Sequence, residues 1–118
     1  MDEEDQWVAQ LRKGSLELCM LALLMPKERY GYEIAQELIK TGELAVGEGT
    51  IYPLLSRLQR EGKVSAEWRE SPSGPPRKYY RITPEGRRLL EAKTRVWEVF
   101  SRAVNGILKE VLLDKPGS

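Results

Sequence analysis

Apolar residues recur along most of this chain at helical spacings, and in one stretch at every second position. The clearest helix is "GEGTIYPLLSRLQREGK", residues 47–63, where Ile51, Leu54, Leu55 and Leu58 fall at i, i+3, i+4 and i+7, the spacing of one buried stripe. Thr50, Tyr52, Ser56, Arg57 and Arg60 fall on the opposite face. This helix is predicted to begin near Glu48–Thr50 and end at Gly62. Pro53 then lies within the first turn or so, where its missing N–H costs little. Upstream, "QWVAQLRK" puts Trp7, Val8 and Leu11 on one face of a short amphipathic helix. Ser15 is placed to cap an apolar core helix over Leu16–Met25, which Pro26 ends. A third helix is expected over Tyr30–Thr41, with Ile34, Ala35, Leu38 and Ile39 inward and Gly42 just past its end.

The pattern then changes period. Val64, Ala66 and Trp68 alternate with Ser65, Glu67 and Arg69, and Arg77, Tyr79 and Arg81 alternate with Lys78, Tyr80 and Ile82. Between these runs lies "PSGPP", dense in turn formers, so an antiparallel hairpin is predicted. One of Tyr79 and Tyr80 should enter the core and the other the opposite sheet surface. Thr83 caps a last helix with Pro84 at its first position. That helix reaches about Leu113 and would be roughly 45 Å long. Val96, Phe100, Ala103, Val104, Ile107 and Val111 give it an apolar stripe, widened by Trp97 and Leu108. A stripe that outreaches its small domain is an aggregation liability on a monomer, so a homodimer through this helix is expected.

Composition narrows the functions open to such a chain. At 118 residues it reads as one domain with a modest core. The overall charge of +1 conceals an asymmetry: residues 2–5 are "DEED", whereas residues 57–88 hold nine bases against four acids. A local excess of this kind suits a polyanionic partner. There is no histidine and a single cysteine, Cys19, so no internal disulfide forms and neither a zinc site nor the commonest general base is offered. Cys19 reads as a small buried hydrophobe or, alternatively, as a redox-sensing thiol. No phosphate-cradling glycine loop or nucleophile motif occurs, and an enzyme is not expected. No cofactor is implied. The longest apolar run, Leu18–Met25, is too short for a bilayer, and the N-terminus lacks the basic start of a signal peptide. A cytoplasmic protein with no membrane partner is expected.

Helices followed by a hairpin give a mostly α fold with a small β-hairpin, in the order of a winged helix-turn-helix. The boundaries read as an amphipathic helix over 1–14, a DNA-binding domain over 15–83, a dimerisation helix over 84–113 and a tail over 114–118. In such a fold the helix before the hairpin enters the major groove and the hairpin reaches the flanking backbone. Thr50, Tyr52, Ser56 and Arg57 then supply donors for phosphates and base edges. Gly49 either lets the backbone approach DNA closely or merely eases the helix start. At the hairpin tip, Arg77 and Lys78 are placed for duplex DNA. The competing reading is a winged helix that serves only as a protein-interaction module.

"YGYEIAQEL", "GEGTIYPLLSRLQREGKV" and "SGPPRKYYRITPEGRRLL" resemble the PadR family of bacterial transcriptional regulators, over about Leu16–Leu90. The single long C-terminal helix resembles the short subfamily. The resemblance implies a dimer that binds inverted repeats in promoters, usually as a repressor, and leaves DNA when a small aromatic or amphipathic effector binds. Carried over by position, the DNA-facing residues are Gly49, Thr50, Tyr52, Pro53, Ser56 and Arg57 on the helix, with Gly74, Arg77 and Lys78 on the wing. Members that sense drugs hold flat ligands between aromatic side chains of the last helix. Here Trp97 and Phe100 are the counterparts, with Trp7 and Leu11 candidates for the same cavity. Ordinary dimer-core packing would account for these four residues as well.

Overall fold

The computed structural model describes residues 2–113, so the tail expected over 114–118 lies outside the described residues. The chain opens with helix α1, Glu3–Leu23. Asp2 caps it by accepting a hydrogen bond from Asp5 N at 2.8 Å, and Glu3, Glu4 and Asp5 occupy the first turn. Negative charge there complements the helix dipole, which gives the acidic start a local structural role. The expected break between two helices at Gly14–Ser15 does not occur. The Ser15 hydroxyl caps nothing and donates instead to Leu11 O at 2.8 Å, one turn back within α1. A glycine inside a helix costs only about 1 kcal/mol. Packing of Leu16, Met20 and Leu21 in the core outweighs that penalty.

A two-residue strand, β1 (Arg29–Tyr30), precedes helix α2, Gly31–Ile39. Periodicity cannot reveal a strand so short, and the predicted helix was longer at both ends. Tyr30 is its N-cap residue, with its N–H donating to Glu33 Oε1 at 3.1 Å. Ile34, Ala35 and Leu38 are buried as expected, but Ile39 in the last turn is exposed. Helix α3, Glu48–Arg60, buries Ile51, Leu55 and Leu58. The helix begins at Glu48, within the expected bounds, and Pro53 is its sixth residue, in the second turn. Gly62 follows at φ +75°, a left-handed conformation that glycine adopts without strain.

Strands β2 (Val64–Ser71) and β3 (Gly74–Ile82) form the predicted hairpin. Its register pairs Val64 with Ile82, Ala66 with Tyr80 and Trp68 with Lys78, with an irregularity between Arg69 and Ser71 that takes up the Pro75–Pro76 side. Strand β3 is central, because β1 pairs on its other edge through Arg29–Tyr80 and Tyr30–Tyr79. Tyr80 is the tyrosine that enters the core, and Tyr79 lies on the opposite sheet surface against the ring of Tyr30. Trp68 shares a face with Val64 and Ala66, yet it is 66% exposed because the hairpin extends beyond the core.

Helix α4, Pro84–Leu108, starts against the beginning of β2 and continues as a wider π turn over Lys109–Leu113. Thr83 joins the two regions: its hydroxyl accepts from Gly86 N at 3.0 Å and donates to Gly62 O at 2.6 Å, while its N–H donates to Lys63 O. A β-carbon on Gly86 would stand 2.0 Å from Lys63 O, so only glycine fits there. Gly86→Ala should therefore cost about 1–3 kcal/mol, the usual range for overpacking. Urea denaturation would read this as a lower midpoint at unchanged slope. A midpoint equal to wild type would mean that α4 does not depend on this contact.

Candidate nucleic-acid interface

Helix α3 is held by its buried stripe, which leaves Tyr52, Pro53 and Ser56 turned outward from the domain and exposed. Gly49 and Thr50 are also exposed in its first turn, and no atom stands within 4 Å of a β-carbon built on Gly49. The start of α3 therefore presents bare backbone to its surroundings. Tyr52 lies across the start of α2: a β-carbon on Gly31 would meet the Tyr52 ring at 2.4 Å. Its hydroxyl donates to Glu48 at 3.4 Å. Partial burial, together with the Glu48 charge, pushes the phenol above its ordinary range, so Tyr52 stays a neutral donor.

The wing comes up beside this face. Tyr30, Tyr32, Tyr52, Trp68 and Tyr80, with Pro76, Arg77 and Lys78, line one cleft of about 410 Å³. Arg77 lies over the Tyr30 ring at 4.5 Å, and Lys78 lies 5.8 Å from both the Trp68 and Tyr80 rings. The two cations are thus positioned by the ring faces beneath them. Gly74 is exposed where β3 begins, at the tip. Behind the wing, Glu28 accepts from Arg69 and, at 3.1 Å, from Arg81. No local pattern points to this anchor, since its partners are more than 40 positions away. Tyr30, Tyr32 and Trp68 were equally invisible as a group, because α2 and two strands must fold before they meet.

Arg57 differs from its expected outward placement. Its guanidinium donates to Glu17 Oε1 on α1 at 2.5 Å and to Glu61 at 3.0 Å. It is therefore engaged by two carboxylates on the side of α3 that faces α1. Position 57 is one full turn past Pro53 and seven past Thr50, which itself borders the α1–α3 crevice. A helical wheel shows polarity but not which neighbour meets each polar position.

Comparison with known proteins places these features in a family. Residues 20–92 match the Transcriptional regulator PadR-like family. The chain belongs to that family. It is similar to the crystal structure of a PadR family transcriptional regulator from Eggerthella lenta, at 35% identity and TM-score 0.80, covering 89% of this chain and 91% of that one. It is also similar to a PadR-like transcriptional regulator from Bacillus cereus, at 43% identity and TM-score 0.77, covering 85% of this chain and 97% of that one. A transcriptional regulator from Mycobacterium tuberculosis is 34% identical over 97 residues, which is 82% of this chain and 89% of the relative. This PadR-like chain is accordingly a transcriptional regulator of a non-enzymatic, DNA-binding family, with a winged-helix fold and a long C-terminal helix.

Between α1 and α4 the PadR-like chain carries a second concavity of about 460 Å³, lined by Leu11, Leu18, Val96, Trp97, Phe100 and Lys93 among others. Three of the four residues named as effector candidates (Leu11, Trp97 and Phe100) meet there. Trp7 does not line it and is exposed. Cys19 is half-buried and burial raises its thiol pKa, which favours the packing role over a reactive one. Among the described residues no helix is long and apolar enough to cross a membrane.

Two carboxylates give the fold a pH signature. Burial alone would raise Glu17, but Lys93 and Arg57 together hold it below its ordinary 4.5. Arg69 and then Arg81, against some desolvation, hold Glu28 below the same value. Both groups are depressed in the folded state, so their stabilisation is complete above about 4.5 and disappears as pH falls through the folded values. A Glu17→Gln, Glu28→Gln double variant should be less stable than wild type near about pH 6, with the gap shrinking as the pH falls below 4.5. Urea midpoints across that range check this, and a gap of constant size would contradict it.

Proposed function

We propose that this PadR-like regulator is a cytoplasmic repressor that binds an inverted-repeat promoter site as a homodimer. In this reading α3 lies in the major groove, with Thr50, Tyr52, Pro53 and Ser56 toward the DNA and Gly49 allowing close approach of the backbone. Gly74, Arg77 and Lys78 of the wing meet the flanking phosphates. Arg57 contributes by holding α3 against α1. The observation that carries the reading is the shared cleft: Tyr52 on the exposed face of α3 and the wing cations Arg77 and Lys78 border the same concavity. Donors for base edges and charges for phosphates thus lie side by side, as groove binding requires.

The dimer rests on α4. Val96, Phe100, Ile107 and Val111 are each at least 60% exposed in the single chain, and Ala103 and Val104 continue the same unpartnered stripe. Burying such a stripe against a second copy removes it from water. Small aromatic or amphipathic effectors would enter the α1–α4 groove at Leu11, Trp97 and Phe100, next to that interface. Val104→Glu should then shift sedimentation from dimer to monomer, whereas an unchanged dimer would remove α4 from the interface.

Fluorescence anisotropy tests the DNA reading directly, using DNA from upstream of the regulator's own gene against scrambled DNA over a range of salt concentrations. Binding should be tighter to the native sequence and weaken as salt rises. Arg77→Ala and Lys78→Ala should each weaken binding to both DNAs and reduce the salt slope by about 1. Gly49→Ala should leave the fold as stable or more so, since no neighbour opposes the methyl group, yet weaken specific binding. Absence of duplex binding even at low salt would discard the regulator mechanism in favour of a protein-interaction module.

A further inference from the structure

The half-buried carboxylate of Glu17 stands where three helices meet. From α1 it accepts from Arg57 of α3 at 2.5 Å through Oε1, and it pairs with Lys93 of α4 at 2.9 Å through Oε2. Each oxygen is thus committed to a different helix. Lys93 also lines the α1–α4 groove, and Arg57 borders the crevice on the other side of α1 together with Thr50. Groove and recognition helix therefore share no wall, but they share this one carboxylate. We propose that Glu17 is a positioning residue that transmits occupancy of the groove to α3. This rests on the reading of α3 as the DNA-facing helix and of the groove as a ligand site.

The physical argument is one of charge compensation. A carboxylate withdrawn from water is stable only while its partners offset the lost hydration. Glu17 has two cations for that purpose, and one of them is, among the described residues, the single charged side chain on the groove's wall. An anionic aromatic molecule in the groove competes for the Lys93 ammonium. Glu17 then keeps Arg57 alone, and the α1–α3 contact must admit water to make up the loss. Arg57 has a second carboxylate, Glu61, on its own helix to hold it when the Glu17 contact opens. The result is a recognition helix less firmly seated on α1, with no change needed in its hydrophobic stripe. Coupling through such a contact has physical content because both sites bias one contact with two arrangements.

Hydrogen–deuterium exchange, read by mass spectrometry with and without anilinonaphthalene sulfonate as the groove probe, tests this on the whole chain. Protection of residues 10–18 of α1 reports that the probe sits in the groove. In wild type the probe should raise exchange across residues 50–58 of α3 about threefold or more. In Glu17→Gln, α3 should exchange faster without probe and respond no further to it. Lys93→Gln guards against loss of folding, because its side chain is partly exposed and the Arg57 pair remains. It should raise exchange in α3 without probe, toward the level wild type shows with probe, and lose any further response. Equal probe responses in all three proteins would overturn the proposal, as would an occupied groove with no response in wild-type α3, or no protection of α1 at all. Anisotropy with promoter DNA on the same samples reports separately on the DNA reading, and its failure would leave the exchange result standing.

Discussion

The close approach of α4 to the start of β2 governs what the rest of the molecule can do. Gly86 lets the helix backbone come against Lys63, and Thr83 ties the same point down by donating its hydroxyl to Gly62 O and its N–H to Lys63 O. The direction in which α4 leaves the domain is fixed there. Its first turns pack Leu89 and Leu90 on the core, and the later turns run out beyond it. An exposed stripe in a long helix is useful only if its bearing relative to the outward face of α3 is constant. The junction supplies that constancy, since a helix pinned at its cap by hydrogen bonds and a steric fit cannot swivel freely.

Helix α1 does two kinds of packing at once. One face supplies Leu16, Met20 and Leu21 to the core, and another forms the groove with α4. Continuity through Gly14 is what joins these roles, because a break there would have separated the groove from the domain. Ion pairs reinforce the arrangement from the edges: Glu17 links three helices, and Glu28 links the α1–α2 connection to the back of the wing. Such pairs add little stability individually where solvent reaches them. They restrict which orientations the elements adopt.

Much of this was written in the period of the sequence. The α3 stripe, the hairpin around Pro72–Gly74, the Thr83 cap and the long last helix follow from local spacing and end signals, which is why they were legible. What was missed depends on contacts distant in sequence. Strand β1 exists only because β3 offers it an edge, and the glycine in α1 is overruled by tertiary packing. Arg57 was assigned correctly to a polar face, but Glu17 lies 40 residues away and no pattern links the two. The outward residues of α3 were readable from one helix alone, whereas the aromatic cleft needed five elements to be in place.

The wing cations rest on aromatic rings before any partner arrives. Long basic side chains on a solvated loop sample many rotamers, and ordering each one opposes binding by about 0.5–1.5 kcal/mol. Arg77 above Tyr30, and Lys78 between Trp68 and Tyr80, have already given up part of that freedom during folding. For the proposed engagement of phosphates, the entropic penalty is thereby moved from the moment of association to the moment of folding, where burial of the core dominates the balance. A guanidinium over a ring is also not interchangeable with an ammonium, so lysine at position 77 would preserve the charge of the wing while losing its aim.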